Sequence, residues 1–178
     1  RDLTEIPLGD WRRTVGLVLQ GVQLFPGSMR ENLTVFDDSV TDAQIARAAE
    51  IVQLTPVLDR LPQGLDTPLF ERGSNLSQGE RQLISFARAL IHDPPLLILD
   101  EATASVDPIT ERKIQASLTR MLAGRTAFVI AHRLSTIVGS DQILVVQHGR
   151  IVESGSHREL YANRDGHYRH LYDLQLRA

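Results

Sequence analysis

The chain has 178 residues, 42% hydrophobic and 23% charged, with a formal net charge of -3, the balance of a globular domain large enough for a real core. That charge gives no electrostatic case for nucleic acid or an anionic membrane surface, and the lack of cysteine excludes disulfides and thiolate chemistry, which suits the cytoplasm. No apolar stretch approaches ~20 residues, so nothing here is expected to span a bilayer; a membrane role would come from a fused segment or a partner.

Residues 1–13 have no start methionine, opening turn or signal-peptide pattern, so the terminus reads as cut and the natural protein as longer. Thr14 to Leu19 reads as a short apolar strand ending at Gln20. Phe25-Pro26-Gly27-Ser28 then turns the chain into a short helix from about Met29 to Leu33. Asp42 to Leu54 is amphipathic, with Ile45, Ala48, Ala49 and Val52 at helical spacing and Thr41 or Asp42 as cap. A second short helix is expected from Pro56 to Leu61, and Gly64 to Asn75 reads as loop or short edge strand.

The densest stretch is 77–107. Ser77-x-x-Glu80 reads as a capping box, which starts a helix at about Gln78. Leu83, Ile84, Phe86, Ala87, Leu90 and Ile91 give that helix an apolar face, and Pro94 and Pro95 stop it. Leu96 to Leu99 is continuously apolar, as a parallel strand covered on both faces would be, and ends in Asp100 and Glu101. In open parallel sheets ligands sit outside the carboxyl ends of the strands. Two acids placed there are costly unless they hold a metal or move a proton. Each feature alone is more often a helix cap, or a strand running into a loop. Their spacing, followed by Ala102-Thr103-Ala104-Ser105-Val106-Asp107, argues for a site.

Ile109 to Leu122 is helical and Gly124 ends it; Thr126 to Ala131 is a second apolar strand, ending at His132. Leu134 to Val138 is a short helix. Asp141 to Gln147 and Arg150 to Ser154 form a hairpin-like pair around His148-Gly149. Ser156 caps the next helix, and His167 to Leu176 closes the chain as an amphipathic helix. His167 and His170 stand i, i+3, but no carboxylate-rich constellation supports a metal there. Lys113 is the only lysine and no Gly-Lys-Ser/Thr occurs, so the phosphate-cradling loop G-x-x-x-x-G-K-[ST] is absent from these residues.

Taken together, the apolar strand ending in Asp100-Glu101 resembles the Walker B segment of a P-loop ATPase, and Leu76-Ser77-Gln78-Gly79-Glu80 resembles the signature motif of ABC ATPases. The strand to Gln20 with Leu24-Phe25 and Arg30-Glu31-Asn32-Leu33 is similar to the Q-loop region of ABC exporters, and Glu71-Arg72-Gly73 to the short acidic loop ahead of the exporter signature. The likeness spans essentially the whole chain, in family order, from the exporter/multidrug-type ABC ATPase domain without its N-terminal Walker A part. One departure lies in the signature, where Gln78 stands for a common glycine and Glu80 for a common glutamine.

The resemblance implies an α/β fold: a P-loop NTPase-like parallel sheet core, incomplete because the P-loop strand is missing, with an inserted α-helical signature subdomain at about 36–92. Residues 1–35 and 93–178 would form the core and C-terminal region. It implies an ATP hydrolase working as a head-to-tail dimer with a second ABC ATPase domain, identical or not, to power export. The transmembrane domain, fused or separate, would be contacted near Gln20–Arg30 and Glu71–Arg72, at the cytoplasmic face of the membrane, with no nucleic acid bound. Asp100 and Gln20 would hold Mg²⁺, Glu101 would act on the attacking water with Gln20, and His132 would contact the γ-phosphate. Ser77, Gln78, Gly79 and Glu80 would face ATP on the other subunit, and Ser105 and Asp107 would communicate across the dimer. A solvated pair for Glu71 and Arg72, and a strand-end polar group for Gln20, are the plain alternatives. Other readings are a soluble ABC ATPase acting on nucleic acid or ribosomes, an importer ATPase, or a catalytically silent partner. Without the P-loop these residues alone would be inactive, and the strand ending at His132 would expose an unpaired edge.

Overall fold

The computed structural model describes residues 2–70, 73, 75–100, 107–130 and 134–177, apart from the side chains of Leu3, Leu134, Ser135 and Arg177. They fall into two compact units, residues 1–130 and 131–178.

In the first unit α1 (Leu8–Thr14) runs into β1 (Val15–Val18), followed by β2 (Gly27–Ser28), α2 (Met29–Thr34), α3 (Asp42–Ile51) and α4 (Thr55–Asp59). Then come β3 (Pro68–Leu69), α5 (Gln78–Leu90), β4 (Leu96–Asp100), α6 (Pro108–Leu122) and β5 (Thr126–Ile130). β1, β4 and β5 form a parallel sheet in the order β1-β4-β5, the α/β core expected from the sequence. Three of the helices start on complete capping boxes, Ser28 with Glu31, Thr41 with Gln44 and Ser77 with Glu80. Each satisfies two N–H groups that the helix itself cannot.

Helices and sheet share one hydrophobic core, in which Met29, Leu33, Ile45, Ile84, Phe86, Leu97, Leu99, Ile114 and Met121 are essentially inaccessible. α5 packs so close to β1 that a β-carbon on Gly16 would lie 2.3 Å from the Ala89 carbonyl oxygen. The continuous apolar run of β4 predicts cover on both faces, but only the Leu97 and Leu99 face is closed. On the opposite face Leu17, Phe128 and Ile130 are more than half exposed.

Local boundaries differ where tertiary contacts or backbone turns decide. α1 buries no residue and has no amphipathic pattern to announce it. α3 stops at Ile51 rather than Leu54 because Gln53 turns left-handed, at φ 59°. The stretch read as loop or edge strand contributes β3, antiparallel to β2 with Gly27 opposite Leu69.

The second unit holds α7 (Leu134–Val138), the antiparallel strands β6 (Ile143–Gln147) and β7 (Arg150–Gly155), α8 (His157–Ala162) and α9 (His167–Arg177). His148 and Gly149 both take positive φ, 50° and 74°, as the turn of a two-residue hairpin requires. Ser156 and Glu159 box the start of α8. The Glu153 carboxylate accepts the N–H groups of His167 and Tyr168 at 3.0 and 2.8 Å, which caps α9. Ile143, Val145, Leu160 and Tyr168 form its small core.

Candidate functional site

Register places the carboxyl ends of the three parallel strands at one edge. Val18 lies opposite Leu99, and Asp100 opposite Ile130. Gln20 therefore follows β1, and half-buried Asp100 ends β4, on the side of the sheet where parallel folds bind ligands. Glu101, Ser105 and His132 lie outside the described residues, as do Glu71 and Arg72. In sequence Glu101 directly follows Asp100, and His132 comes two residues after β5.

The segment Ser77–Glu80 opens α5 in the conformation its spacing predicts. Ser77 Oγ accepts the Glu80 N–H at 3.3 Å, while Glu80 Oε2 accepts the Ser77 N–H at 2.9 Å. The other oxygen of Glu80 is bound by Arg60 at the end of α4. Gln78 and Gly79 follow as the first two helical residues; their N–H groups lie beyond the reach of any i−4 carbonyl of the helix. With the dipole behind them they suit an anion. Gly79 is nevertheless buried on its side-chain side, against Thr110 of α6.

Asp107 caps α6, accepting the N–H groups of Ile109 and Thr110, both at 3.1 Å. Hydrogen bonds from Thr110, side chain first and backbone second, hold its carboxyl below the usual range. Thr110 thus touches both Asp107 and Gly79.

A cluster that the sequence did not announce fixes the loop after β1 to α5. Arg88, partly buried on α5, donates to the backbone carbonyls of Asn32 and Gln23 and to Asn32 Oδ1, the last at 2.8 Å. Asn32 is wholly buried and fully engaged. Its Oδ1 also accepts the Phe25 N–H at 2.9 Å, and its Nδ2 donates to the carbonyls of Phe25 and Ser28 at 2.9 and 3.0 Å. Burial lowers the Arg88 guanidinium to about 10, so it stays charged at neutral pH, with its plane near the Phe25 ring. The available signal was an arginine four residues after Ile84 and three before Ile91, on an otherwise apolar helical stripe. At the far end of the expected docking stretch, Arg30 pairs with Asp42 and Asp66.

Residues 1–104 match the family described as ABC transporter. The chain is 52% identical over 164 residues to "Probable multidrug resistance ABC transporter ATP-binding/permease protein YheH" of Bacillus subtilis, covering 92% of this chain and 24% of that one. It is 47% identical over 176 residues to an "ATP-dependent lipid A-core flippase" of Ralstonia nicotianae, covering 97% of this chain and 30% of the other. Among solved structures, "Structure of a bacterial Atm1-family ABC exporter with ATP bound" superposes with a TM-score of 0.85 at 39% identity, over 98% of this chain and 30% of that one. The chain therefore spans between a quarter and a third of the length of the proteins it matches.

Proposed function

The chain belongs to the ABC transporter family, and from that premise we propose that it is the greater part of an ATP-hydrolysing domain that powers export. A transmembrane domain would be carried by the same polypeptide, as in the ATP-binding/permease relatives, with the ATPase at the cytoplasmic face. The phosphate-binding loop would come from the same longer protein. One observation carries the reading: the helix opened by the capped Ser77–Glu80 segment leads directly into a parallel strand that brings Asp100 to the carboxyl edge of the sheet, and Glu101 is the next residue in sequence. The readings as a nucleic-acid ATPase or a silent partner find no comparable support.

In this proposal two copies, or one copy and a related domain, face each other head to tail across two ATP molecules. Ser77, Gln78 and Gly79 offer a hydroxyl and helix-end N–H groups to the γ-phosphate held by the other subunit, and Glu80 keeps that helix start in shape. The oxygen donors Asp100 and Gln20 suit a hard cation such as Mg²⁺. Mg²⁺ would supply charge neutralisation to the phosphates. Glu101 orients the attacking water or takes its proton, Gln20 helps place that water, and His132 contacts the γ-phosphate. Ser105 and Asp107 read the state of the facing subunit. Gln20–Arg30, with Glu71 and Arg72, meets the transmembrane part.

The test is Glu101→Gln in the full-length protein, which should retain ATP binding while phosphate release slows by at least about tenfold. Unchanged turnover would remove Glu101 from its role. Loss of nucleotide binding would show that this carboxylate serves binding instead.

A further inference from the structure

Gly79 is the second residue of α5, and its φ lies outside the left-handed region, so its backbone conformation does not demand glycine. Its surroundings do. A β-carbon built on Gly79 would sit 2.2 Å from Thr110 Cγ2, with Thr110 Cβ at 3.7 Å and Ile114 Cδ1 at 3.9 Å. Only the first of these is a clash; the other two are ordinary contacts. One methyl group therefore decides how close the start of α5 comes to α6. Thr110 is itself anchored, since its N–H is bonded to the carboxylate of Asp107, the cap of its helix.

We propose that Thr110 is a positioning residue, and that its γ-methyl is the seat on which Gly79 rests. It thereby sets the position of Ser77 to Gly79 relative to Asp107 and the start of α6. The inference rests on the reading of that segment as nucleotide-facing, and it gives Gly79 a second reason to lack a side chain: close helix packing within its own subunit. Because the Thr110 hydroxyl and N–H are both held by Asp107, a methyl added at Gly79 must either break that hold by turning the Thr110 side chain or shift the first turn of α5 away from α6 by about an ångström. Displacement on that scale is enough to cost on the order of 100-fold in a reaction that depends on positioning.

The experiment compares Gly79→Ala, Thr110→Ser and the double variant in the full-length protein. Thr110→Ser deletes Cγ2 and keeps the hydroxyl beside Asp107. Gly79→Ala should lower kcat/KM for ATP by about 100-fold. The double variant should return to within about fivefold of Thr110→Ser alone, a coupling of the size neighbouring residues show. A double variant as impaired as Gly79→Ala would overturn the proposal and leave ligand approach as the reason for the glycine. Hydrogen exchange at residues 78–83 reads the packing without turnover: Gly79→Ala should raise it and the added Thr110→Ser should restore it. A wild-type protein that does not hydrolyse ATP would sink the functional reading, while the exchange result would still decide the contact. Should Gly79→Ala fail to accumulate, Thr110→Ser and Thr110→Val decide. Serine should loosen the first turn and valine, which keeps the methyl, should not; equal exchange in both would overturn the proposal.

Discussion

Replacing Arg88 with methionine keeps an apolar stem and removes the guanidinium donors by which Arg88 ties Gln23 and Asn32 to α5. Three acceptors lose a partner: the carbonyls of Asn32 and Gln23, and Asn32 Oδ1. Asn32 Oδ1 retains the Phe25 N–H, so two carbonyls bear most of the loss. At about 1–3 kcal/mol for each acceptor left short, and with some relief from water at Gln23, the local cost is about 2–4 kcal/mol. At about 1.4 kcal/mol per decade, that is a rise of about 30- to 700-fold in the opening equilibrium of residues 23–33. Hydrogen exchange followed by mass spectrometry on the full-length protein reads it, with the β4 peptide containing Leu97 and Leu99 as an internal reference. Arg88→Lys should fall between, because one ammonium cannot span acceptors on two segments. Exchange in 23–33 within about threefold of wild type, well below the range expected for exposed carbonyls, would refute the idea that Arg88 holds this loop.

Two further outcomes follow from single residues. His148→Asn places the residue type favoured for the first left-handed position of a two-residue hairpin, where His148 sits exposed at φ 50°. Slower exchange across 143–155, by about twofold to fivefold, is expected for a gain of about 0.5–1 kcal/mol; faster exchange would show that the histidine makes a contact worth more than the backbone relief. Asp93 is held below the usual carboxyl range by its hydrogen bond from Arg125 first, after allowing for the opposing cost of burial, and then by Arg47. The folded form is therefore the stronger acid. Its stabilisation is complete above the ordinary value near ~3.9 and is lost as pH falls through the lowered one. Melting temperature should drop with acid over that window, and Asp93→Asn should flatten the drop; an unchanged acid profile in that variant would take Asp93 out of the account.

Much of the molecule was legible because its determinants are local. Ser77 with Glu80 and Ser156 with Glu159 are helix starts spelled within four residues, and the structure forms both boxes. The run Leu96 to Leu99 could be read as a parallel strand from composition alone, and His148-Gly149 as a turn. What stayed hidden depends on atoms that a sequence does not display. The partners of Arg88 are mainly backbone carbonyls 56 and 65 residues away, and no side-chain pattern reports a carbonyl. The two-residue pair β2 and β3 has too little periodicity to register. Gly79 was expected from the resemblance to face ATP on the other subunit; the neighbour the structure sets against it is a methyl group of the same chain.

These contacts make α5 the shared member of the first unit. Near its carboxyl end Arg88 grips Gln23 and Asn32; at its amino end Gly79 rests on Thr110, two residues into the helix that Asp107 caps. Between these points Leu83, Ile84, Phe86 and Ala87 are buried in the common core. Packed interiors resist small continuous deformation, so segment 23–32 cannot shift far against α6 without carrying α5 or breaking one of its two attachments. The loop that begins at Gln20 and the Asp107 cap of α6 are therefore linked through one helix. The segment proposed to face nucleotide is the amino end of that helix. In this architecture the arginine and the threonine, neither of which needs to touch ATP, decide whether segment 23–32, Asp107 and Ser77 move as one body.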